Sequence, residues 1–124
     1  MKKLLLVLAG LSAAALASAA PRVITIGLVA KSQGNPVFQA ARVGAQDAAK
    51  ELSAKLGVDI RIDWRTPNEE DAQKQAEAIE QLVLAGAEGI AVSCSDANKL
   101  TDAINRAVDN GLDFRELYGV EQRF

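Results

Sequence analysis

Short runs of β-branched and aliphatic residues alternate with stretches whose apolar positions recur every third or fourth residue, from Arg22 to Gly111. Arg22 to Ala30 (RVITIGLVA) has few polar interruptions, the pattern of a strand covered on both faces. After a loop beginning at Lys31, Phe38, Ala41, Ala45, Ala48, Leu52 and Leu56 form one helical stripe, with Asn35 as N-cap and Pro36 as first helical residue, where its missing N–H costs nothing. Gly57 ends this helix, and Val58 to Trp64 (VDIRIDW) alternates apolar and charged residues, as an edge or half-covered strand does. Thr66-Pro67-Asn68-Glu69 reads as a capping box opening the second helix, whose core face is expected to be Ala72, Ala76, Ile79, Leu82 and Val83. Glu69, Glu70 and Asp71 then fall in its first turn, at the positive end of the dipole, rather than in a metal site. Gly86 closes that helix, Gly89 to Ser93 (GIAVS) is a third strand, and Asp96 caps a third helix with Leu100, Ala103, Ile104, Ala107 and Val108 inward. The order β-α-β-α-β-α with short connections predicts an α/β fold of three layers, a parallel sheet with right-handed crossovers and helices on both faces.

The residues flanking this unit differ from it. Lys2 and Lys3 precede an apolar run from Leu4 to Leu16 and a small-residue A-x-A pattern at Ala17-Ser18-Ala19, the layout of a secretory signal peptide over residues 1–19. The run is shorter than the roughly 20 residues a membrane-spanning helix needs, and no cysteine stands at the junction to carry a lipid. Export, with cleavage after Ala19, is the expectation. Removing this segment takes the formal charge from −2 to −4. At the other end, residues 112–124 (LDFRELYGVEQRF) carry charges at Asp113, Arg115, Glu116, Glu121 and Arg123 where a fourth buried strand is due, so the alternation is expected to stop there in a divergent tail.

Composition narrows the chemistry. The 124 residues are 49% apolar and 24% charged, values of an ordered chain large enough for one domain. A slightly negative balance offers no excess of cations to neutralise phosphates, so nucleic acid is not an expected partner. With no histidine and Cys94 as the sole cysteine, the usual zinc sites, the Ser-His-Asp and Cys-His pairs and any intramolecular disulfide are absent. Neither G-x-G-x-x-G nor a Walker A pattern occurs, so no nucleotide cofactor is expected.

In open parallel sheets ligands sit beyond the carboxyl ends of the strands. The loops there run from Lys31 to Phe38 and from Ser93 to Asp96. Lys31, Ser32 and Asn35 supply donors, Asn35 and Asp96 supply acceptors, and Phe38 offers an apolar face, a mixture suited to a polyhydroxylated ring. Each also has a plain structural role: Asn35 and Asp96 as helix caps, Phe38 in the core, Lys31 as a solvated charge.

The secretory start, the strand VITIGLVAKS followed by Gly34-Asn35-Pro36-Val37-Phe38, the span EEDAQKQAEAIEQLVLAGAEGIAVSCSDA and the helix LTDAINRAVDNG resemble the N-terminal lobe of type I periplasmic sugar-binding proteins of ABC importers, the ribose-binding-like group. The resemblance runs from Arg22 to Gly111 and implies an incomplete half of that fold, with residues 20–111 as a partial N-terminal lobe. It further implies a periplasmic receptor that closes on a monosaccharide and docks on a membrane permease, without catalysis. Lys31, Ser32, Asn35, Phe38 and Asp96 are the ligand contacts it implies; Val37 stands where some members place a second aromatic. A truncated or frame-shifted product with weak or no binding is the corresponding expectation. Other readings are a non-functional remnant, an exported α/β enzyme using Asp96 with Ser93 or Ser95, and the effector lobe of a repressor, which the secretory start disfavours.

Overall fold

The computed structural model describes residues 19–116, so residues 1–18 of the expected signal peptide and residues 117–124 of the tail lie outside the described residues. Seven elements follow in order: β1 (Val23–Val29), α1 (Pro36–Leu56), β2 (Asp59–Trp64), α2 (Ala72–Leu84), β3 (Gly89–Val92), α3 (Ala97–Asp109) and β4 (Asp113–Glu116). The strands lie in the order β2-β1-β3-β4, and every pair is parallel. The alternation therefore continues past Gly111, where the sequence reading expected it to stop. Leu112, buried in the core, ends the turn after α3, and β4 then pairs Asp113 with Gly89 and Phe114 with Ile90. Backbone pairing to β3 tolerates charged side chains at an edge, which a pattern of buried strands does not reveal.

Strand alternation divides the two faces. On one, Val29, Ile90 and Val92 meet Ile79 and Leu82 of α2 and Leu100, Ala103, Ile104 and Ala107 of α3, all buried, in one cluster. Gly27 belongs to this face, and α2 approaches so closely there that a β-carbon on Gly27 would collide with the methyl carbons of Leu82. On the other face Ile24, Ile26, Ile60 and Ile62 look toward Ala45, Ala48, Ala49 and Leu52 of α1 across an apolar groove. Packing there is looser than the helical stripe predicts. Of α1 only Phe38 and Ala49 are buried, while Leu52 and Leu56, both expected inward, are exposed. Val108 of α3 is likewise exposed, although Ala107 before it is fully buried: the helix stays on the core through its last turn, and the next position faces away from it. β2 is an edge strand, as its alternation indicates, and carries the ion pairs Arg61–Asp59 (2.6 Å) and Arg65–Asp63 (2.9 Å), charges that discourage edge-to-edge pairing. The hydrogen bonds that Arg65 donates to the Asp63 carboxylate raise the Arg65 pKa above its ordinary value.

The helix ends explain where the elements begin and stop. Asn35 Oδ1 accepts from the Val37 amide at 2.9 Å, Pro36 is the first helical residue, and Gly57 closes α1 in the left-handed region (φ 66°). α2 departs from expectation: its N-cap is Asp71, whose Oδ1 accepts from Gln73 and Lys74, five positions after the Thr66 of the capping-box pattern. Thr66 is buried instead, and its hydroxyl oxygen accepts from the Ala30 amide at 2.8 Å. A tertiary bond thus takes the oxygen that the local motif assigned to a cap. The α2 core face shifts accordingly. Gln75 and Ala78 join Ile79 and Leu82 in the interior, while Ala72, Ala76 and Val83 are only partly buried against it.

Candidate ligand-binding site

β1 and β3 are neighbours in register, Val29 beside Val92, so the loops that follow them leave the same end of the sheet side by side. The first is fastened by the segment between β2 and α2. Ala30 donates to Thr66 Oγ1, the Gln33 amide donates to the Pro67 carbonyl at 2.9 Å, and Gln33 Nε2 donates to the Thr66 carbonyl at 2.7 Å. The second is fastened by Asp96, whose Oδ1 accepts from Asn98 (3.0 Å) and Lys99 (3.3 Å) to start α3. Both helices adjoining the loops point their N-termini at this end, where partial positive charge and unpaired N–H groups gather.

A cavity of about 460 Å³ opens between these loops. Four of the five residues singled out from the sequence line it: Lys31, Ser32, Asn35 and Phe38. Phe38 is buried and forms a fixed apolar wall, whereas Val37 beside it is 54% exposed. Asp96 does not line the cavity. It is half-buried, two residues beyond Cys94, which with Ser93 closes the β3 side. The structure brings Asp96 to the correct end of the sheet and commits one carboxylate oxygen to its helix.

Two residues of the site escape sequence reasoning. Glu70 lines the cavity, and its Oε1 lies 3.8 Å from Lys31 Nζ. Both side chains are well exposed, so the pair contributes little to stability, but it leaves the mouth without net charge. An uncharged, hydrogen-bonding solute suits such a mouth better than an ion does. Placing Glu70 in a helix first turn hid this contact; the stripe's true start at Ala72 was the available signal. Gln75 is the second. It is fully buried on α2, and its Nε2 donates to the carbonyls of Ala30 and Ser93, each at 2.9 Å, while its Oε1 accepts from the Ser95 amide at 2.9 Å. Within the stripe it occupies an inward position, and a polar residue there is the only sequence trace.

Among the described residues no group of three or more His, Cys, Asp or Glu is placed to hold a metal ion, and no helix is long and apolar enough to cross a membrane. Ser95 Oγ is buried with no hydrogen-bond partner among the described residues.

A family model for the periplasmic binding protein domain matches residues 26–113, most of the chain. The chain belongs to the periplasmic binding protein family. Solved structures agree with this membership. The chain is similar to LsrB from Clostridium saccharobutylicum in complex with AI-2, with 27% identity and a TM-score of 0.64 over 75% of this chain and 27% of that one. It is similar to a sugar-binding protein of a sugar ABC transporter from Bacillus halodurans, with 29% identity and a TM-score of 0.65 over 74% of this chain and 30% of that one. A solute-binding protein from Thermobispora bispora, 21% identical with a TM-score of 0.68, shares the fold over 75% of this chain and 29% of its own length. The chain thus spans less than a third of each of these periplasmic binding proteins. The family consists of solute receptors rather than enzymes, and the α/β architecture expected from the alternation is that of its type I fold.

Proposed function

We propose that this chain is the N-terminal, ligand-contacting lobe of a sugar receptor serving an ABC importer, exported to the periplasm by residues 1–19. The cavity at the joined ends of β1 and β3 carries the reading: one apolar wall at Phe38, hydrogen-bonding groups at Lys31, Ser32 and Asn35, and a mouth in which Lys31 and Glu70 cancel. That is the chemistry of a ring with hydroxyls on its edge and C–H groups on its face. The sugar-binding description of the Bacillus halodurans relative and the AI-2 complex of the Clostridium saccharobutylicum one support a small polyoxygenated solute. Asp96, outside the cavity lining, serves as the N-cap that anchors the β3 loop, and the permease of the importer is the membrane partner.

Affinity of this lobe alone is weak. Tight sites bury 70% or more of a ligand, and the exposed Val37 at the cavity rim leaves a sugar largely hydrated.

The test uses isothermal titration of the chain with a panel of D-pentoses and D-hexoses, comparing wild type with Asn35→Ser. Serine retains an N-cap oxygen for α1 but removes the amide donors. Binding of one sugar by wild type, weakened about tenfold in the variant at unchanged melting temperature, is expected for a lost hydrogen bond. Equal affinity in both proteins would reduce Asn35 to a helix cap, and no binding by wild type would remove the receptor reading.

A further inference from the structure

The ladder between β1 and β3 ends at Val29 and Val92, with the Ser93 amide donating to the Val29 carbonyl at 2.9 Å as its last rung. Beyond it the chains separate, and the separation is the crevice that forms the cavity. Two carbonyls, of Ala30 and Ser93, are left converging on one point, and two acceptors cannot pair with each other. A group with two donors must stand between them. The primary amide of Gln75 does so with both of its hydrogens, and its oxygen at the same time takes the Ser95 amide. All three partners are backbone groups adjoining the site: Ala30 precedes Lys31, Ser93 lines the cavity, and Ser95 precedes Asp96.

We infer that Gln75 is a positioning residue that sets the separation of the two strand-end loops before a ligand arrives, so that the sides of the cavity formed by Asn35 and by Ser93 meet one solute at a fixed spacing. This deepens the proposed receptor function and rests on it. The side chain is fully buried, so it never touches the solute; it acts through the loops. No other side chain of similar size fits the role. Methionine and leucine offer no donors, glutamate sets a carboxylate against two carbonyls, and asparagine is one methylene short. Thr66, which holds the Ala30 amide from the opposite side, fixes that loop to β2 but leaves its distance from the β3 loop to Gln75.

The experiment takes the 15N-labelled chain as wild type, Gln75→Met and Gln75→Glu, and reads three quantities. The first is the melting temperature. The second is hydrogen exchange, without sugar, at the Ala30 and Ser93 amides, neither of which bonds Gln75 itself, referenced to the core amide of Ile104. The third is affinity for D-ribose, D-xylose, D-glucose and D-galactose. Gln75→Met is expected to fold, to exchange at least about tenfold faster at Ala30 and Ser93 relative to Ile104, and to bind the sugar about tenfold more weakly. Gln75→Glu is expected to behave likewise at pH 7 and to recover part of the protection and affinity toward pH 5, where the introduced carboxyl takes up a proton and regains one of the two donors. Unchanged relative exchange at both amides in Gln75→Met overturns the inference. If that variant does not fold, a pH-independent loss in Gln75→Glu overturns it instead. Wild type that binds none of the four sugars removes the receptor reading alone, because the exchange comparison still decides whether Gln75 sets the loops.

Discussion

The hydroxyl oxygen of Thr66 accepts a 2.8 Å hydrogen bond from the buried amide of Ala30, joining the end of β2 to the end of β1 across 36 positions of sequence. Thr66→Val keeps the shape and strands that amide, at a cost of about 1–3 kcal/mol. Thr66→Ser restores the acceptor and is expected to recover most of this. Urea denaturation of the three proteins checks the order wild type, serine, valine.

Gly27 and Leu82 share a space sized for one of them. Gly27→Ala places a methyl against the buried Leu82 side chain and is expected to cost about 1–3 kcal/mol through overpacking. Combining it with Leu82→Ala relieves the collision, so the double variant is less destabilised than the sum of the single ones. A double-mutant cycle by chemical denaturation reads the coupling.

Leu82 and Leu84 are two positions apart on α2 with opposite environments, 0% and 87% exposed. Leu82→Ala is expected to cost about 2–5 kcal/mol as a core cavity. Leu84→Lys stays within about 0.5 kcal/mol of wild type, since the exposed side chain next to the C-cap Ala85 carries little and a cation there suits the helix dipole. Thermal melting distinguishes the two outcomes directly.

Ser95 Oγ is buried without a partner among the described residues. Removing it in Ser95→Ala leaves stability unchanged or raises it by up to about 1 kcal/mol, because an unsatisfied hydroxyl is replaced by an apolar hydrogen. A marked loss of stability on denaturation would show that the hydroxyl is satisfied in solution.

How far the sequence could be read follows from the range of the forces involved. The first three strands, the three helices and the caps at Asn35 and Asp96 depend on residues within a turn or a pleat of each other, and they were legible. So were four of the cavity residues, since strand ends in a parallel sheet locate a crevice. The start of α2 was misread because Thr66 bonds Ala30 instead of its own helix, a tertiary choice that a local motif cannot signal. Gln75 was missed for the same reason: its three partners lie 45, 18 and 20 positions away. β4 was missed because it is defined by backbone pairing with β3, which a search for a buried apolar run does not detect. The outward turn of Leu52 and Leu56 reflects the finite reach of the sheet under the long α1, and Val108 lies one position off the buried Ala107 at the margin of the inward stripe, neither of which periodicity along one helix encodes.

The central claim is that the ends of β1 and β3 form one site for a small polyhydroxylated solute. Titration of the 15N-labelled chain with monosaccharides, followed by amide chemical shifts, tests it most directly. The account predicts concentration-dependent shifts confined to Lys31–Phe38, Glu70 and Ser93–Asp96 for at least one sugar, saturating together with a single weak dissociation constant. Shifts at only one of the two loops, or at the apolar groove beneath α1 instead, would contradict it.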